Sequence, residues 1–274
     1  MIRDITIGQY YPAKSVIHRL DPRVKLVATL FYLISLFLFR SISGYFIATM
    51  FLVFVIRVSR VPLSFIVRGL KPVIMLLMIT VLFNLFLTRN GEVLFHAWIF
   101  TITEGGLVTA VYMAVRLIYL IIGSSLMTFT TTPNELTDGL EALLHPLNKV
   151  RVPVHEVAMM MSIALRFIPI LLEETDKIMK AQIARGADLE SGNMIQRAKN
   201  MVPILVPLFV SAFRRANDLA MAMEARCYRG GEGRTKMKPL RYRSRDYMAY
   251  LVMAVYVVTV VVIGRYVPLH VWIF

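Results

Sequence analysis

Apolar and charged positions alternate in long blocks along this chain, and five apolar blocks come close to the ~17–25 residues that a membrane-spanning helix needs. They lie at residues 24–39, 44–56 with an extension to 59, 72–88, 106–129 and 247–264. Asp21 and Pro22 precede the first block. This pair is typical of a helix start, because aspartate caps backbone N–H groups and proline fits the first turn. The pattern predicts five transmembrane helices.

Two shorter apolar blocks, 157–172 and 201–213, imitate spans. The first contains Arg166 and Pro169, the second contains two prolines, and charged residues follow each block at once. Such runs are typical of core or interfacial helices. We predict that neither crosses the membrane, and a chain with seven spans is the alternative.

The stretch 92–103 is rich in β-branched and aromatic residues, which predicts a short hairpin.

The composition favours a membrane protein. Hydrophobic residues make up 57 % of the chain and the mean hydropathy is +0.64, whereas soluble domains are ~45–50 % apolar. The single cysteine, Cys227, excludes a disulfide-stapled secreted domain. A net charge of +14 without basic and aromatic interleaving argues against a nucleic-acid partner. Residues 1–23 hold no apolar core, so we expect no cleaved signal peptide.

Basic residues set the orientation. With five spans and a cytoplasmic N-terminus, nearly all of the 31 Lys and Arg residues fall on the cytoplasmic side, as the positive-inside rule requires. The exceptions are Arg40, Arg89 and Arg265 outside, and Arg116 within a span. The sequence therefore predicts an all-α integral membrane protein in three parts. Residues 1–129 carry a cytoplasmic N-terminal segment and four spans, 130–246 form a cytoplasmic block, and 247–274 carry the last span and an external tail.

The cytoplasmic block is predicted to contain a short helix at 134–147 and two long helices at about 154–186 and 194–228. The long helices end alike, at Ala184-Arg185-Gly186 and at Ala225-Arg226-Cys227. Arginine in the last turn followed by glycine is also ordinary helix termination. Two such ends on consecutive helices favour a paired function, because each guanidinium offers a rigid fork to carboxylates in a partner's groove.

Two further groups of residues lie on the long helices. Small residues four apart predict a helix-crossing face at Ala212, Ala216 and Ala220. Flexible methionines suit a surface that accepts different partners, although core packing is their ordinary role. These candidate contacts for a partner membrane subunit are Met159, Met160, Met161, Met221 and Met223.

Signatures of catalysis are missing from the sequence. Residues 8–15 imitate a phosphate-binding loop but lack its second glycine, and the five histidines lack metal-ligand spacing. We predict a chain that is not an enzyme and binds no cofactor or metal. Arg116 is the one ionisable group well inside a span. It is predicted to be a packing arginine bonded to carbonyls or to polar groups such as Asn84.

Four sequence features, each present once, are spread in order along nearly the whole chain. They are Ser15-x-x-His18-Arg19-Leu20-Asp21-Pro22-Arg23-x-Lys25, Thr132-Pro133-Asn134-Glu135-Leu136, Ala184-Arg185-Gly186 and Ala225-Arg226-Cys227-Tyr228-Arg229-Gly230. Together they resemble the T component of energy-coupling factor (ECF) transporters, the EcfT/CbiQ family. Cys227 stands where the family has glycine, so we expect the turn there to be made differently, with Gly230 and Gly231 as candidates.

The resemblance implies a non-catalytic scaffold in a bacterial or archaeal cell membrane. Its partners would be the lipid bilayer, two cytoplasmic ABC-type ATPase subunits that carry ATP and Mg²⁺, and a membrane S component that binds a vitamin or metal ion. Residues 130–246 would then be a coupling module whose two long helices cross and insert Arg185 and Arg226 into the ATPases. A self-contained secondary transporter with seven spans stays open as the alternative.

Overall fold

The computed structural model describes residues 10–39, 41–87, 93–97, 100–187, 193–231 and 237–266. The predicted outside positions Arg40 and Arg89, the tail at 267–274 and most of the break between the two long helices lie outside these ranges. The described part of the chain is helical except for one hairpin and its connecting segments. This confirms the all-α class.

Nine α-helices and two strands follow one another in the described ranges. They are α1 (Pro22–Leu38), α2 (Ile42–Ser59), α3 (Leu63–Leu70), α4 (Ile74–Leu87), β1 (Val93–Ala97), β2 (Phe100–Thr103), α5 (Glu104–Thr130), α6 (Pro133–Leu144), α7 (Val154–Ala184), α8 (Met194–Ala225) and α9 (Ser244–Tyr266). Short 3₁₀ turns lie at Ile17–Arg19, Lys71–Val73 and His145–Val150. The strands pair antiparallel, with Ala97 opposite Phe100, which confirms the predicted hairpin.

Five of the described helical segments are long and apolar enough to cross a membrane. They are Ile42–Ser59, Leu63–Phe86, Glu104–Thr130, Val154–Ala184 and Ser244–Gly264. The number equals the prediction, and four of the segments overlap predicted spans. The segment that corresponds to the third predicted span begins at Leu63 rather than at residue 72. Helix α3 runs through the 3₁₀ turn into α4 despite the charges of Arg68 and Lys71.

These five segments differ from the five predicted spans at two helices. The predicted first span is α1, whose 17 residues sit at the short end of the ~17–25 that suffice. Helix α7, predicted to be cytoplasmic, has 31 residues and meets the length and hydropathy requirements of a span. Length and composition alone therefore do not distinguish an interfacial α7 from a spanning one, and its location stays a prediction.

The chain divides into two compact units. The first, here called the bundle unit, comprises Gly8–Leu140 and Leu240–Phe274, and the second, the hairpin unit, is built on Glu141–Pro239. In the bundle unit, α1 and α2 each pack against both α5 and α9. The outward faces of its helices are apolar, as lipid contact requires and as a soluble surface rarely tolerates. Examples are Phe37, Phe46, Met75, Phe83 and Leu251.

Aromatic side chains fill the core of the bundle unit. Phe51 of α2 stacks on Tyr256 of α9 with ring centroids 4.1 Å apart, and the Tyr256 hydroxyl lies 2.9 Å from Ser35 Oγ on α1. Tyr32 lies directly against Gly123 of α5, where a Cβ would overlap the phenol ring. The glycine thus allows α1 and α5 to approach closely, and the three aromatic rings lock four helices together.

Arg116 has a partner that differs from the predicted one. Its Nε donates to the Tyr45 hydroxyl at 3.1 Å, and its guanidinium lies 5.6 Å from the ring centre of Phe37. Asn84 instead donates to the Thr80 carbonyl one turn earlier in its own helix. The expected packing role fits these contacts, but the suggestion of Asn84 was wrong because that side chain satisfies itself within α4.

Candidate functional site

Helices α7 and α8 pack against each other as an antiparallel hairpin. Arg215 Nη2 donates to Glu174 Oε2 at 3.0 Å, and the Gln182 amide donates to the Pro203 carbonyl at 3.3 Å. At the other end the backbone of Gly231 lies directly against the imidazole of His155. The late part of α7 therefore contacts the early part of α8. The start of α7 contacts the segment that follows the end of α8.

Prolines inside the hairpin create one of these contacts. A proline in a helix interior has no N–H, so the carbonyl four residues earlier loses its helical partner. Pro207 lies inside α8 and leaves the Pro203 carbonyl in this state. Gln182 of α7 supplies the missing donor. Pro207 therefore frees an acceptor for an interhelical hydrogen bond.

The two helix ends have the same backbone geometry. Arg185 has φ −86° and ψ 4°, and Arg226 has φ −92° and ψ 14°. The next residue is left-handed in both cases, Gly186 at φ 85° and Cys227 at φ 56°. The ends are thus copies of one motif in which the arginine is the C-cap and a left-handed residue follows.

Hydrogen bonds at the two ends also match position by position. Gly186 N donates to Ile183 O at 2.9 Å and Ala187 N to Gln182 O at 3.0 Å. At the second end, Cys227 N donates to Glu224 O at 2.8 Å and Tyr228 N to Met223 O at 3.0 Å. This pair of bonds defines the Schellman motif, which satisfies the last carbonyls of a helix. We call the ends, 184–186 and 225–227, the first and second tip.

The turn at the second tip corrects a prediction. We expected Gly230 and Gly231 to replace the missing glycine, but Cys227 itself adopts the left-handed conformation. Gly230 also has a positive φ, 92°, three residues further on and outside the capping bonds. The Schellman hydrogen bonds outweigh the steric preference of cysteine, which costs about 1–2 kcal/mol for a side chain in this region.

Cys227→Gly is expected to raise stability by about 0.5–1 kcal/mol, because glycine adopts this φ without strain while its greater unfolded-state entropy offsets part of the gain. The measurement is the thermal unfolding midpoint of the purified protein. Gly186→Ala is the matched control at the first tip and should lower the midpoint. A Cys227→Gly variant less stable than the original chain would contradict the assigned turn.

Both tip arginines are exposed, together with Ala184 and Ala225 beside them. In the antiparallel register Arg226 lies level with the early part of α7, about 24 residues before Arg185 at ~1.5 Å per residue. The two tips are therefore roughly 35 Å apart along the helix axis. The structure therefore places the two predicted arginines at opposite ends of the hairpin rather than together.

The other predicted residues of the hairpin unit divide between exposed and half-buried positions. Ala212 is half-buried, whereas Ala216 and Ala220 are exposed. The less exposed stripe of α8 is instead Ile204, Leu208, Ser211, Arg215 and Leu219. The predicted alanine face is therefore not the packed face here, because larger side chains and the Arg215 ion pair fill it.

The methionines show the same division. Met160, Met161 and Met221 are about half to two-thirds exposed, and Met159 and Met223 are half-buried. The antiparallel register brings both groups to the same end of the hairpin, near the second tip. They therefore add an exposed apolar surface beside that tip.

The first of the four sequence features, residues 15–25, forms a cluster with Thr130, Arg243 and Asp246 that we call the helix-end clamp. Asp246, at 2 % exposure, accepts from Asp21 N at 2.8 Å and from Arg243 N at 2.7 Å. Asp21 caps α1 and forms a two-point ion pair with the Arg23 guanidinium. Lys25 Nζ donates to the Thr130 carbonyl at 2.7 Å. The clamp thus joins the starts of α1 and α9 to the end of α5.

The protonation of the clamp follows from its contacts. Burial opposes ionisation of Asp21, but the hydrogen bonds and charge of Arg23 outweigh it and hold the pKa of that carboxyl below its ordinary value. Burial lowers the pKa of His18, so the imidazole is neutral near pH 7, with Nε2 placed to donate to the Tyr11 carbonyl at 2.9 Å. Protonation of His18 below its ordinary pKa would therefore weaken the clamp.

The second of the four sequence features starts α6. Glu135 N donates to Thr132 Oγ1 and Thr132 N donates to a Glu135 carboxylate oxygen, each at 3.3 Å. With Pro133 at the first helical position, this is a capping box. The feature therefore fixes where α6 begins after α5 ends.

Several partners were missed from the sequence. Asp246, Tyr45 and Gln182 were not singled out, and only Asp246 carried a usable signal, as an acidic residue immediately before a predicted span. Among the described residues, no group of three or more His, Cys, Asp or Glu side chains is arranged to hold a metal ion.

Comparison with known proteins gives a consistent family. A family model described as cobalt transport protein, CbiQ, matches residues 13–237. A Clostridium kluyveri protein named energy-coupling factor transporter transmembrane protein EcfT is 59 % identical over 252 residues, 92 % of this chain and 93 % of that protein. A protein of the same name from Acidaminococcus fermentans is 55 % identical, over 92 % of this chain and 94 % of that protein. Another from Bacillus subtilis is 50 % identical, over 90 % of this chain and 93 % of that protein.

Proposed function

This chain belongs to the CbiQ family as a T component of the energy-coupling factor transporters, and we propose that it couples two cytoplasmic ABC-type ATPase subunits to a substrate-binding S component. ATP hydrolysis on the ATPases would reorient the S component in the membrane. The cargo is a micronutrient, either a vitamin or a metal ion, selected by the S component.

The observation that carries the proposal is the pair of equivalent tips. Two helix ends with the same cap, the same left-handed turn and an exposed arginine suit two similar grooves on two related ATPases. Arginine binds carboxylates through two parallel hydrogen bonds. Ala184 and Ala225 allow close approach. A separation of tens of ångströms between the tips suits two grooves on different subunits.

The hairpin would act as a rigid lever between the ATPases and the membrane. The Glu174–Arg215 ion pair and the Gln182–Pro203 hydrogen bond fix α7 against α8 in the half that carries the first tip. Movement of one tip is therefore passed to the other helix. The exposed methionines beside the second tip, with exposed apolar residues of α8, offer a contact surface for the S component. These residues are Val202, Leu205, Val206, Phe209 and Phe213.

The same proposal assigns the location of each unit. The N-terminus and the hairpin unit lie on the cytoplasmic side of a bacterial or archaeal cell membrane, with the bundle unit spanning it. Charged residues 173–177 follow the apolar half of α7 and favour an interfacial position. ATP and Mg²⁺ bind to the partner ATPases, and this chain contributes positioning rather than catalysis.

Co-purification from native membranes tests the proposal. The tagged chain is expected to bring down two ABC-type ATPases and an S component, identified by mass. Arg185→Glu alone and Arg226→Glu alone should each weaken ATPase retention, because each reverses the charge of one tip. Retention of both ATPases at unchanged salt resistance in both variants would refute docking through the tips.

A second candidate, the self-contained transporter with seven spans, draws on the apolar character of α7. It requires 157–172 and 201–213 to cross the membrane, which would place Lys180 and Asn193 outside. Cysteine accessibility at those two positions separates the candidates. Labelling from the outside favours the secondary transporter, and labelling from the cytoplasm favours the coupling subunit.

A further inference from the structure

One end of the bundle unit encloses a cavity of about 400 Å³. At this end α1 and α9 begin and α2 and α5 end. The cavity is lined by residues of all four helices and is closed by the 3₁₀ turn at Ile17–Arg19. Its walls include the buried side chains of Val24, Leu126 and Met253. Most of the lining is apolar.

Water is a poor occupant of this space. A buried water needs two to four polar partners, whereas an engineered apolar cavity of about 150 Å³ stays dry and takes up benzene. Three of the polar groups at the wall already bond within the protein. Ser59 Oγ donates to the Ile56 carbonyl, Thr130 Oγ1 donates to Leu126 O, and Lys25 Nζ donates to Thr130 O. A volume of this size falls in the range of ligand pockets, about 300–1,000 Å³.

The cavity is open to the outside of the protein, and exposed side chains of α2 and α9 lie in its wall. Its lining includes Phe54 at 54 % exposure, Met248 at 68 % and Val252 at 37 %. These side chains belong to apolar helix faces that a bilayer would cover. Arg245, half-buried in the first turn of α9, lines the same cavity. The cavity therefore combines an apolar lining, exposed apolar side chains at its wall and a guanidinium in the first turn of α9.

We propose that this cavity holds one acyl chain of a bilayer phospholipid, whose phosphate binds Arg245. The acyl chain matches the apolar walls, enters from the bilayer without crossing water, and leaves its phosphate at the depth where α9 begins. Arginine binds phosphate through paired charge-assisted hydrogen bonds. The proposal concerns the bundle unit alone and does not depend on the tips.

Photo-crosslinking with phosphatidylglycerol that carries a diazirine on one acyl chain tests this site in the full chain, reconstituted in vesicles. Lipid outside the bundle labels exposed residues, so the informative adducts are those on Val24 and Ala28 inside the cavity. Ala249→Phe fills the cavity and should abolish these adducts. Ala254→Phe, on an exposed position of the same helix, should keep them. Ala28→Leu repeats the test if Ala249→Phe does not fold.

A second arm tests the headgroup. Arg245→Gln is expected to reduce labelling of Val24 by phosphatidylglycerol about tenfold, the factor that corresponds to one lost charge-assisted contact. Labelling by a diazirine diacylglycerol, which has no phosphate, should not change. The proposal is overturned if Val24 and Ala28 are never labelled in the original chain. It is also overturned if Ala249→Phe leaves their labelling intact, or if Arg245→Gln affects both lipids equally.

Discussion

ATP-driven uptake is expected to fall to background when Arg185 and Arg226 are both replaced by glutamate. Each substitution removes a charge-assisted contact worth about 1.5–3 kcal/mol and replaces attraction by repulsion. Loss at both tips therefore weakens ATPase docking by a factor of at least about 10². The hairpin unit keeps its helix ends, because both arginines are exposed C-cap residues whose capping bonds run through the backbone, and the bundle unit does not contain them.

Uptake of radiolabelled substrate into cells, with membrane insertion followed on an immunoblot, measures this effect. Arg214→Glu is the matched control, since Arg214 is an exposed arginine of α8 away from both tips. That variant should retain most of the uptake. Full uptake by the double variant, inserted at normal levels, would remove the tips from the mechanism.

Asp246→Ala is expected to destabilise the bundle unit by about 2 kcal/mol or more. The substitution leaves two backbone N–H groups without their acceptor, the buried one of Asp21 and the part-buried one of Arg243, and the loss at a buried donor alone costs about 1–3 kcal/mol. The clamp would then no longer tie the start of α9 to the start of α1.

Thermal unfolding of the purified protein reports this loss as a lower midpoint. Asp246→Asn keeps one acceptor oxygen and should lie between the original chain and Asp246→Ala. Asp218→Ala, on an exposed position of α8, should leave the midpoint within error. Equal midpoints for Asp246→Ala and Asp218→Ala would show that the clamp does not hold the helices.

Much of this architecture could be predicted because hydrophobic blocks and caps are local signals. The long helices were expected at about 154–186 and 194–228 and are observed at Val154–Ala184 and Met194–Ala225. Their ends follow from residues within one turn, so the capping pattern sufficed. The hairpin at 92–103 was likewise predicted from a local run of β-branched and aromatic residues.

The remaining differences arise from contacts between distant residues. Asp246 meets Asp21 across 225 positions of sequence, and Tyr45 meets Arg116 across 71, so no local pattern indicates either pair. Cys227 adopts its left-handed turn because the capping bonds of α8 demand one there, against the residue's own preference. Ala216 and Ala220 are exposed within the hairpin, because spacing shows which residues share a side of a helix, not which side is packed.

The central claim is that the first tip lies in the cytoplasm against an ATPase. Ala187→Cys in a Cys227→Ser background places the only cysteine of the chain beside Gly186. A membrane-impermeant maleimide, applied to membrane vesicles of either orientation, then reports which side the tip faces. Labelling is expected from the cytoplasmic side alone, and bound ATPases are expected to protect the cysteine from labelling. Labelling from the outside, or labelling that the ATPases leave unchanged, would contradict it.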